Sequence, residues 1–525
     1  MITSINQTKV VIIGAGVSGL LLAAQLLRLG ITPLIIDKRN ARDERNQHMP
    51  ASAWSMEILA QLGLDKSSLE PFSIEGLTLQ KRRLVLGELK FQASENSPFN
   101  PLQIIKQSVI ERLLIQYLTQ HACPIYWDIT LTHWETSGEA YRLHLDFQGK
   151  PHQIQTAWMV ASGSDVPGKP MHSAARETPT YPNFRGEVLL HESINRHVHI
   201  FLAALGNIQL LPLDGKGLYH ITGILSKEAL KEAHTNIKAV IRAIVGFDLP
   251  FKKVIWWSPE GQKQDKPVRN IDHRLICMGT TAGREDQLIW GGSINTAIQD
   301  THNLAWKLAY VIQGKMPASA LYTYPEERYA AEQMMHRQRA LPYLLSIRTY
   351  PFKLLSNRIL KSFITRLQHN KPLYDRWVAR LGQTHMHYRN SKLSIHLSSG
   401  RQLGAGDRLP NLPVYHEKEK KQTTLHQWCT KPGFILLLLG EVPEQQLFAI
   451  AQWITQKYSP YIHLFYLPFS TRNQSIFDAF SIGHKRRKML LIRPDMHIAC
   501  VHDEVNTGLV DTYMREILRW EADSL

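Results

Sequence analysis

Gly14, Gly16, Gly19 and Asp37 are the residues whose types and spacing carry the clearest chemistry. Gly14-Ala15-Gly16-Val17-Ser18-Gly19 follows directly on the apolar run 10–13, and Asp37 closes a second short apolar run at 33–36. Between them, residues 20–29 contain no Gly, Pro or β-branched residue, and Gly30 stands where a helix C-cap is expected. The order is strand, tight turn, helix, strand. In such a unit the first glycine allows a sharp turn, the second lets a pyrophosphate approach the backbone, and the third lets helix and strand pack closely. The helix N-terminus, around Ser18, offers free N–H groups and a positive dipole end to phosphates. An acid about 20 residues further on accepts hydrogen bonds from an adenosine ribose. Asp37 is so placed, with Lys38 beside it. The pattern predicts a dinucleotide-binding unit.

Composition sets the frame around that unit. The chain has 525 residues, 44% hydrophobic and 20% charged, which suits a globular protein of about three domains. No window approaches the ~18 uninterrupted apolar residues of a membrane span. The glycines and the strand-turn-helix order of the apolar N-terminus argue against a signal peptide, so a cytoplasmic location is expected. Cys123, Cys277, Cys429 and Cys500 lie far apart, with no CxxC and no ligand-spaced histidines. Structural disulfides and a metal site are therefore not expected. The net charge of +16 is accompanied by no nucleic-acid-binding motif, so no nucleic-acid partner is expected. Attraction to an anionic substrate, an acidic partner or a membrane surface stays open.

Along the chain, residues 56–64 read as a helix ending at Gly63, residues 72–93 as strands, and residues 105–114 as the start of a helix carrying Gln107 and Glu111. A strand-like run 157–161 ends on Ser162-Gly163. Residues 171–271 mix strands and aromatics around one helix at about 228–245. A buried strand at 274–278 leads to Gly279-Thr280, and a long helix follows from about 295 to 313. Residues 317–340 and 342–385 read as mostly helical, the second stretch basic and amphipathic. The glycines and prolines of 391–413 read as a linker to a small α/β unit.

Taken together, the N-terminal fingerprint, the helix at 56–64, Gln107 with Glu111, the strand ending at Gly163, Gly279 after its strand, and above all GGSINTAIQDTHNLAWKLAYVIQG at 291–314 followed by LYTYPEER at 321–328 resemble the FAD-dependent aromatic-ring hydroxylases. These are class A flavoprotein monooxygenases related to phenol and para-hydroxybenzoate hydroxylases. The resemblance spans nearly the whole chain. It implies FAD as cofactor, NADH or NADPH as co-substrate, and hydroxylation of a small phenolic or polyketide-like aromatic through a flavin C4a-hydroperoxide. It also implies cofactor contacts at Gly14, Gly16, Ser18, Gly19, Asp37, Lys38, Gln107, Gly163, Gly279, Thr280, Gly292, Ser293, Ile294 and Asn295. The fold class implied is mixed α/β and α+β. A Rossmann-like FAD-binding domain (1–75, 98–170 and 272–390) carries an inserted sheet-based substrate domain (76–97 and 171–271), and a thioredoxin-like domain fills 395–525.

The sequence departs from the family's pattern where Ser162-Gly163 and Gly279-Thr280 replace Asp-Gly and Gly-Asp, and where a Pro-Pro pair is replaced near Gln287-Leu288. Losing a charge-assisted hydrogen bond costs about 1.5–3 kcal/mol, roughly 10- to 150-fold in affinity. On this reading, aspartates restored at 162 and 280 tighten FAD binding. The departures leave two alternatives: a degenerate relative acting as a binding or scaffold protein, and a flavoenzyme that epoxidises or oxidises a lipophilic quinone-like substrate. Trp428-Cys429-Thr430-Lys431-Pro432 lacks the second cysteine of a redox motif. No motif identifies a catalytic acid or base. A homodimer and a peripheral membrane contact at 344–367 stay open.

Overall fold

The computed structural model describes residues 5–42, 47–162, 166–167, 184–203, 205–258, 271–279, 293–344, 357–399, 403–417, 419–483 and 486–521. The chain begins with β1 (Gln7–Ile13), α1 (Val17–Arg28) and β2 (Leu34–Ile36). The apolar residues of β1 and nearly all of α1 are buried, because the unit sits inside the domain with structure on both sides. β3 (His48–Ser52) leads into α2 (Ala53–Ala60), whose N-cap is Ser52, its hydroxyl accepting from the Ser55 N–H. This helix starts three residues before the predicted one and ends earlier, since Ser52 supplies the capping oxygen and residues 61–64 turn out of the helix. β4 (Gly76–Lys81) and β5 (Leu84–Lys90) form a hairpin. β6 (Leu102–Lys106) pairs with β3, α3 (Gln107–Gln120) follows it without a break, and β7 (Lys150–Ala161) lies parallel to β1.

The hairpin joins a second, seven-stranded sheet. Its other strands are β8 (Phe184–Leu190), β9 (His197–Ala203), β10 (Gly206–Pro212), β11 (Leu218–Leu225) and β12 (Phe251–Ser258), with α4 (Lys227–Val245) between β11 and β12. The order is β12-β8-β11-β10-β9-β4-β5. Alternation gives this sheet two faces. Phe184, Val188, Phe201, Ile208, Leu210, Tyr219 and Ile221 pack with the apolar side of α4. On the other face Leu77, Leu79, Val198, Ile200 and Leu211 pack against Leu102 and Ile104 of β6.

β13 (Leu275–Cys277) lies parallel to β7 and extends the first sheet. Its core is β13-β7-β1-β2, with Ile13 opposite both Ile36 and Ala161 and Ala161 opposite Cys277. Four strand ends therefore lie in line, and Gly14, Asp37, Ser162 and Gly279 come just beyond them. α5 (Ser293–Ile312) packs on α1, and α6 (Thr323–Leu344) and α7 (Asn357–His369) follow. The C-terminal sheet contains β14 (Ile395–Leu397), β15 (Phe434–Gly440), β16 (Ile462–Leu467), β17 (Arg487–Ile492) and β18 (Ile498–His502) in the order β14-β18-β17-β15-β16. The helix Glu444–Lys457 joins the parallel pair β15 and β16.

The stretch 391–413 is not the linker its glycines and prolines predict. β14 belongs to the C-terminal sheet, and Asp407, Arg408, Leu409, Asn411 and Leu412 are buried. Gly406 has φ +86°, and a Cβ there would run into the backbone of Arg389. Its glycine serves a buried tight turn rather than flexibility.

Candidate functional site

The site forms where β1 turns into α1. The Gly14 N–H donates to Ile36 O at 2.9 Å, and Gly14 has φ +107°, a conformation that glycine adopts without strain. A Cβ built on Gly16 meets nothing within 4 Å, so this residue borders open space. Gly16 is also the N-cap of α1, with no side chain capping the helix and no acid in its first turn. The first-turn N–H groups and the dipole end thus face open space, ready for an anion. A Cβ on Gly19 would collide with Gly14 O and lie 2.6 Å from Ser162 Oγ, which explains the third glycine.

Ser162 and Gly279 complete the same corner. The Ser162 hydroxyl lies 3.0 Å from Ile13 O and 2.8 Å from Gly14 O, donating to the carbonyls of the turn itself. Gly279 has φ +61° and lies against Ser18, a Cβ there being 3.0 Å from Ser18 Cβ and 3.8 Å from Ala297 Cβ on α5. Gly14, Gly16, Ser18, Gly19 and Gly279 thus come together. Gly163, Thr280 and Gly292 lie outside the described residues, as do Asp165, Asp286 and Gln287-Leu288.

Asp37 is tied to this corner through Ala15, whose N–H donates to its Oδ2 at 2.6 Å. Arg39 grips the same carboxylate: its backbone N–H and Nε donate to Oδ1 and its Nη2 to Oδ2, each at 2.9 Å. Burial by itself would raise the Asp37 pKa, but these donors outweigh it and hold the carboxyl below its ordinary range. Lys38 is exposed. Arg39 was missed from the sequence; a basic residue two positions from Asp37 was the available signal.

Gln107 and Asn295 flank β3. The Gln107 N–H donates to Gln47 O at 2.9 Å, and its side chain donates to Glu111 at 2.8 Å. Asn295 accepts from the Ser52 N–H and donates to Pro50 O, both at 2.9 Å. Its amide is engaged with the β3 backbone, so it fixes α5 against that strand. Ile294 is buried in the main core, and the N-terminus of α5 begins at Ser293.

A second polar group lies on the seven-stranded sheet, on the face that packs against β6. Register puts Arg185 opposite Thr222 and Ser258, Glu187 opposite His220 and Trp256, and Thr222 opposite Gln209. The Arg185 guanidinium lies 5.8 Å from the centre of the Trp256 ring, and His220 lies 6.4 Å from it. Burial raises the Glu187 pKa against the pull of its Trp256 hydrogen bond. Burial, with the Arg185 charge, lowers His220 to about 4 and keeps its imidazole neutral. A cation, a proton-accepting carboxylate and a neutral imidazole beside an aromatic ring can hold and deprotonate a phenol. From the sequence Trp256 is one of the aromatics of 171–271; the alternation of Arg185 and Glu187 was the missed signal.

Behind the site, α5 is held by buried charges. Arg328 on α6 donates to Asp300 at 2.7 Å and to Gln299 at 3.1 Å. Glu327 accepts from Asn303 at 2.6 Å, from Lys307 at 2.8 Å, and from Arg493 of the C-terminal unit at 2.6 and 2.9 Å. The opposing charges outweigh the burial that would raise the Glu327 pKa and hold it far below the ordinary range. Cys429 is a buried free thiol whose pKa burial raises, so it offers no reactive thiolate. Among the described residues no group of side chains could hold a metal ion.

Residues 7–339 match the family described as FAD binding domain. The chain belongs to that family. A 6-methylpretetramide 4-monooxygenase from Streptomyces rimosus is 23% identical over 463 residues, covering 82% of this chain and 79% of the relative. An uncharacterized aromatic compound monooxygenase from Bacillus subtilis strain 168 is 23% identical over 531 residues, covering 98% of both. The solved anhydrotetracycline hydroxylase from Streptomyces rimosus superposes with a TM-score of 0.70 at 20% identity, covering 97% of this chain and 98% of that one. The chain thus shares its overall fold with that hydroxylase.

The residues present fit FAD. Open space over Gly16, an uncapped helix N-terminus and an ionised Asp37 match a pyrophosphate and a ribose.

Proposed function

We propose that this protein is an FAD-dependent monooxygenase that uses NADH or NADPH to hydroxylate a small phenolic or polyketide-like aromatic. The observation that carries the reading is the open, uncapped N-terminus of α1 at the aligned ends of four parallel strands. Gly14, Gly16, Ser18 and Gly19 would hold the pyrophosphate, and Asp37 with Lys38 the adenosine ribose. Gln107, Gly163, Gly279, Thr280, Gly292, Ser293, Ile294 and Asn295 would border the remainder of the cofactor. When bound, FAD supplies two-electron redox chemistry and oxygen activation.

The chain's own residues have separate tasks. The α1 N-terminus offsets phosphate charge, and the start of α5 offers a second dipole end. Arg185 attracts the substrate's phenolic oxygen, Glu187 accepts its proton, and Trp256 with the neutral His220 orients the ring. The thioredoxin-like reading of 395–525 is supported by the β15–helix–β16 parallel unit followed by the antiparallel strands β17 and β18.

The test is FAD titration of the purified protein, followed by NAD(P)H oxidation and oxygen uptake with a panel of phenols. Saturable FAD binding and substrate-stimulated oxygen uptake are expected. Gly16→Val should abolish binding while the fold survives, because its side chain enters the space that the phosphates need. No binding at tens of micromolar, roughly the −6 kcal/mol level, would overturn the enzyme reading in favour of a scaffold.

A further inference from the structure

The hairpin β4–β5 and helix α7 form one surface. Ile364 of α7 packs over Gly87, where an added Cβ would lie 2.7 Å from it, and the Gln368 side chain donates to Glu88 O at 2.6 Å. Leu84 and Val85 start β5, about 10 and about 7 Å from Gly87 at strand rise. They are 54% and 48% exposed. On the helix, Ile359 and Phe363 lie one turn apart on one stripe and are 52% and 38% exposed. These four apolar side chains are interleaved with cations. Residues 81–90 and 357–369 contain Lys81, Arg82, Arg83, Lys90, Arg358, Lys361 and Arg366, against Glu88 as their one acid. Among the described residues, Arg82, Arg83, Arg358, Lys361 and Arg366 are in no ion pair.

We infer that this surface docks on an anionic lipid bilayer. Both required elements are present: exposed apolar side chains for the acyl boundary, and basic residues in the same two segments for the phosphates. A protein partner fits less well. The centre of a protein interface is depleted of charge, whereas the four apolar residues here share two short segments with seven basic ones. The net charge of +16 adds long-range attraction in the same direction. The helix does not insert: Leu360, Ile364 and Leu367 are spent on the protein's own core. Contact is therefore peripheral and reversible. The inference does not depend on the flavin chemistry, although a bilayer contact would bring a lipophilic aromatic substrate to the enzyme.

Flotation of the full chain with phosphatidylcholine vesicles, with and without about one third phosphatidylglycerol, tests it. Each basic residue at such a surface is worth about fivefold in partitioning. Binding to the anionic vesicles is expected at low salt, lost at high salt, and weakened about a hundredfold when Arg82, Arg358 and Lys361 become Gln. Ile359→Ser with Phe363→Ser should weaken it further without altering the salt slope. Thermal unfolding shows that each variant is folded. No binding to anionic vesicles at low salt overturns the inference, as does binding that the triple Gln variant leaves unchanged. If the double Ser variant binds vesicles as wild type does, and polyglutamate competes fully, the surface is a site for acidic proteins and the bilayer inference also falls.

Discussion

The Ser162 hydroxyl donates toward Ile13 O and Gly14 O, the carbonyls that end β1 and open the glycine turn. A carboxylate at that position cannot donate, and it would stand against two acceptors. Ser162→Asp should therefore weaken FAD binding at least about tenfold, since a lost hydrogen bond costs about 1 kcal/mol and an unpaired buried acceptor about 1–3 more. Equilibrium titration of FAD checks this, and tighter binding would show that the turn tolerates another arrangement. Glu187 allows a second prediction at this scale. Burial raises its pKa, so a proton-accepting role makes kcat/KM rise with pH above the ordinary carboxylate range near 4.3. Glu187→Gln should remove that limb of the profile and lower kcat about a hundredfold, with FAD affinity unchanged.

Helix α5 is the element on which β3, α6 and the C-terminal unit meet. Its N-terminus holds β3 through Asn295, its middle is paired to α6 through Asp300 and Arg328, and Lys307 shares Glu327 with Arg493. Arg493 also pairs with Asp495, to which Trp306 of α5 donates at 3.2 Å. Burial lowers the Lys307 pKa to about 8, and Glu327 offsets part of that cost. Removing one partner from such a group leaves a buried charge uncompensated, at about 3–5 kcal/mol. Glu327→Gln should lower the unfolding free energy by that amount, read as a lower urea midpoint at unchanged slope, and loosen both units together. The wild-type transition followed by tryptophan fluorescence should coincide with FAD release; two separated transitions would mean that the C-terminal unit is only loosely docked.

For the molecule as a whole, buried histidines set the acid limit. Burial lowers His199, His220 and His385 to about 4, and His302 and His426 to about 3. Unfolded histidine titrates near 6.5, so between pH 6.5 and about 4 the unfolded chain binds protons that the folded chain refuses. Stability is present above pH 6.5 and falls with pH through that window, by up to about 1.4 kcal/mol per unit for each histidine. Glu57, raised to about 7 by burial despite Arg408, opposes the trend with one proton of its own, and the raised Glu187 acts in the same sense. Five groups outweigh two. Urea midpoints should drop between pH 7 and pH 5, and His302→Asn should flatten that slope. An unchanged slope would mean that this histidine takes up its proton equally in both states.

Local chemistry was legible in the chain itself. The glycine turn, the acid at 37, the long helix after 293 and the apolar strand at 434–440 follow from spacing, capping and periodicity, which act over a few residues. These features sufficed for the FAD-binding family. Three things required the tertiary structure, each because it joins residues distant in sequence. Ser162 acquires its meaning from carbonyls 149 and 148 positions away. Glu57 and Arg408, 351 positions apart, turn a Gly- and Pro-rich stretch from an expected linker into buried structure. The polar face of Arg185, Glu187, Gln209, His220 and Trp256 is assembled by register across four strands, β8, β10, β11 and β12. No window of the chain contains that register, because strand pairing is decided by what each face must bury.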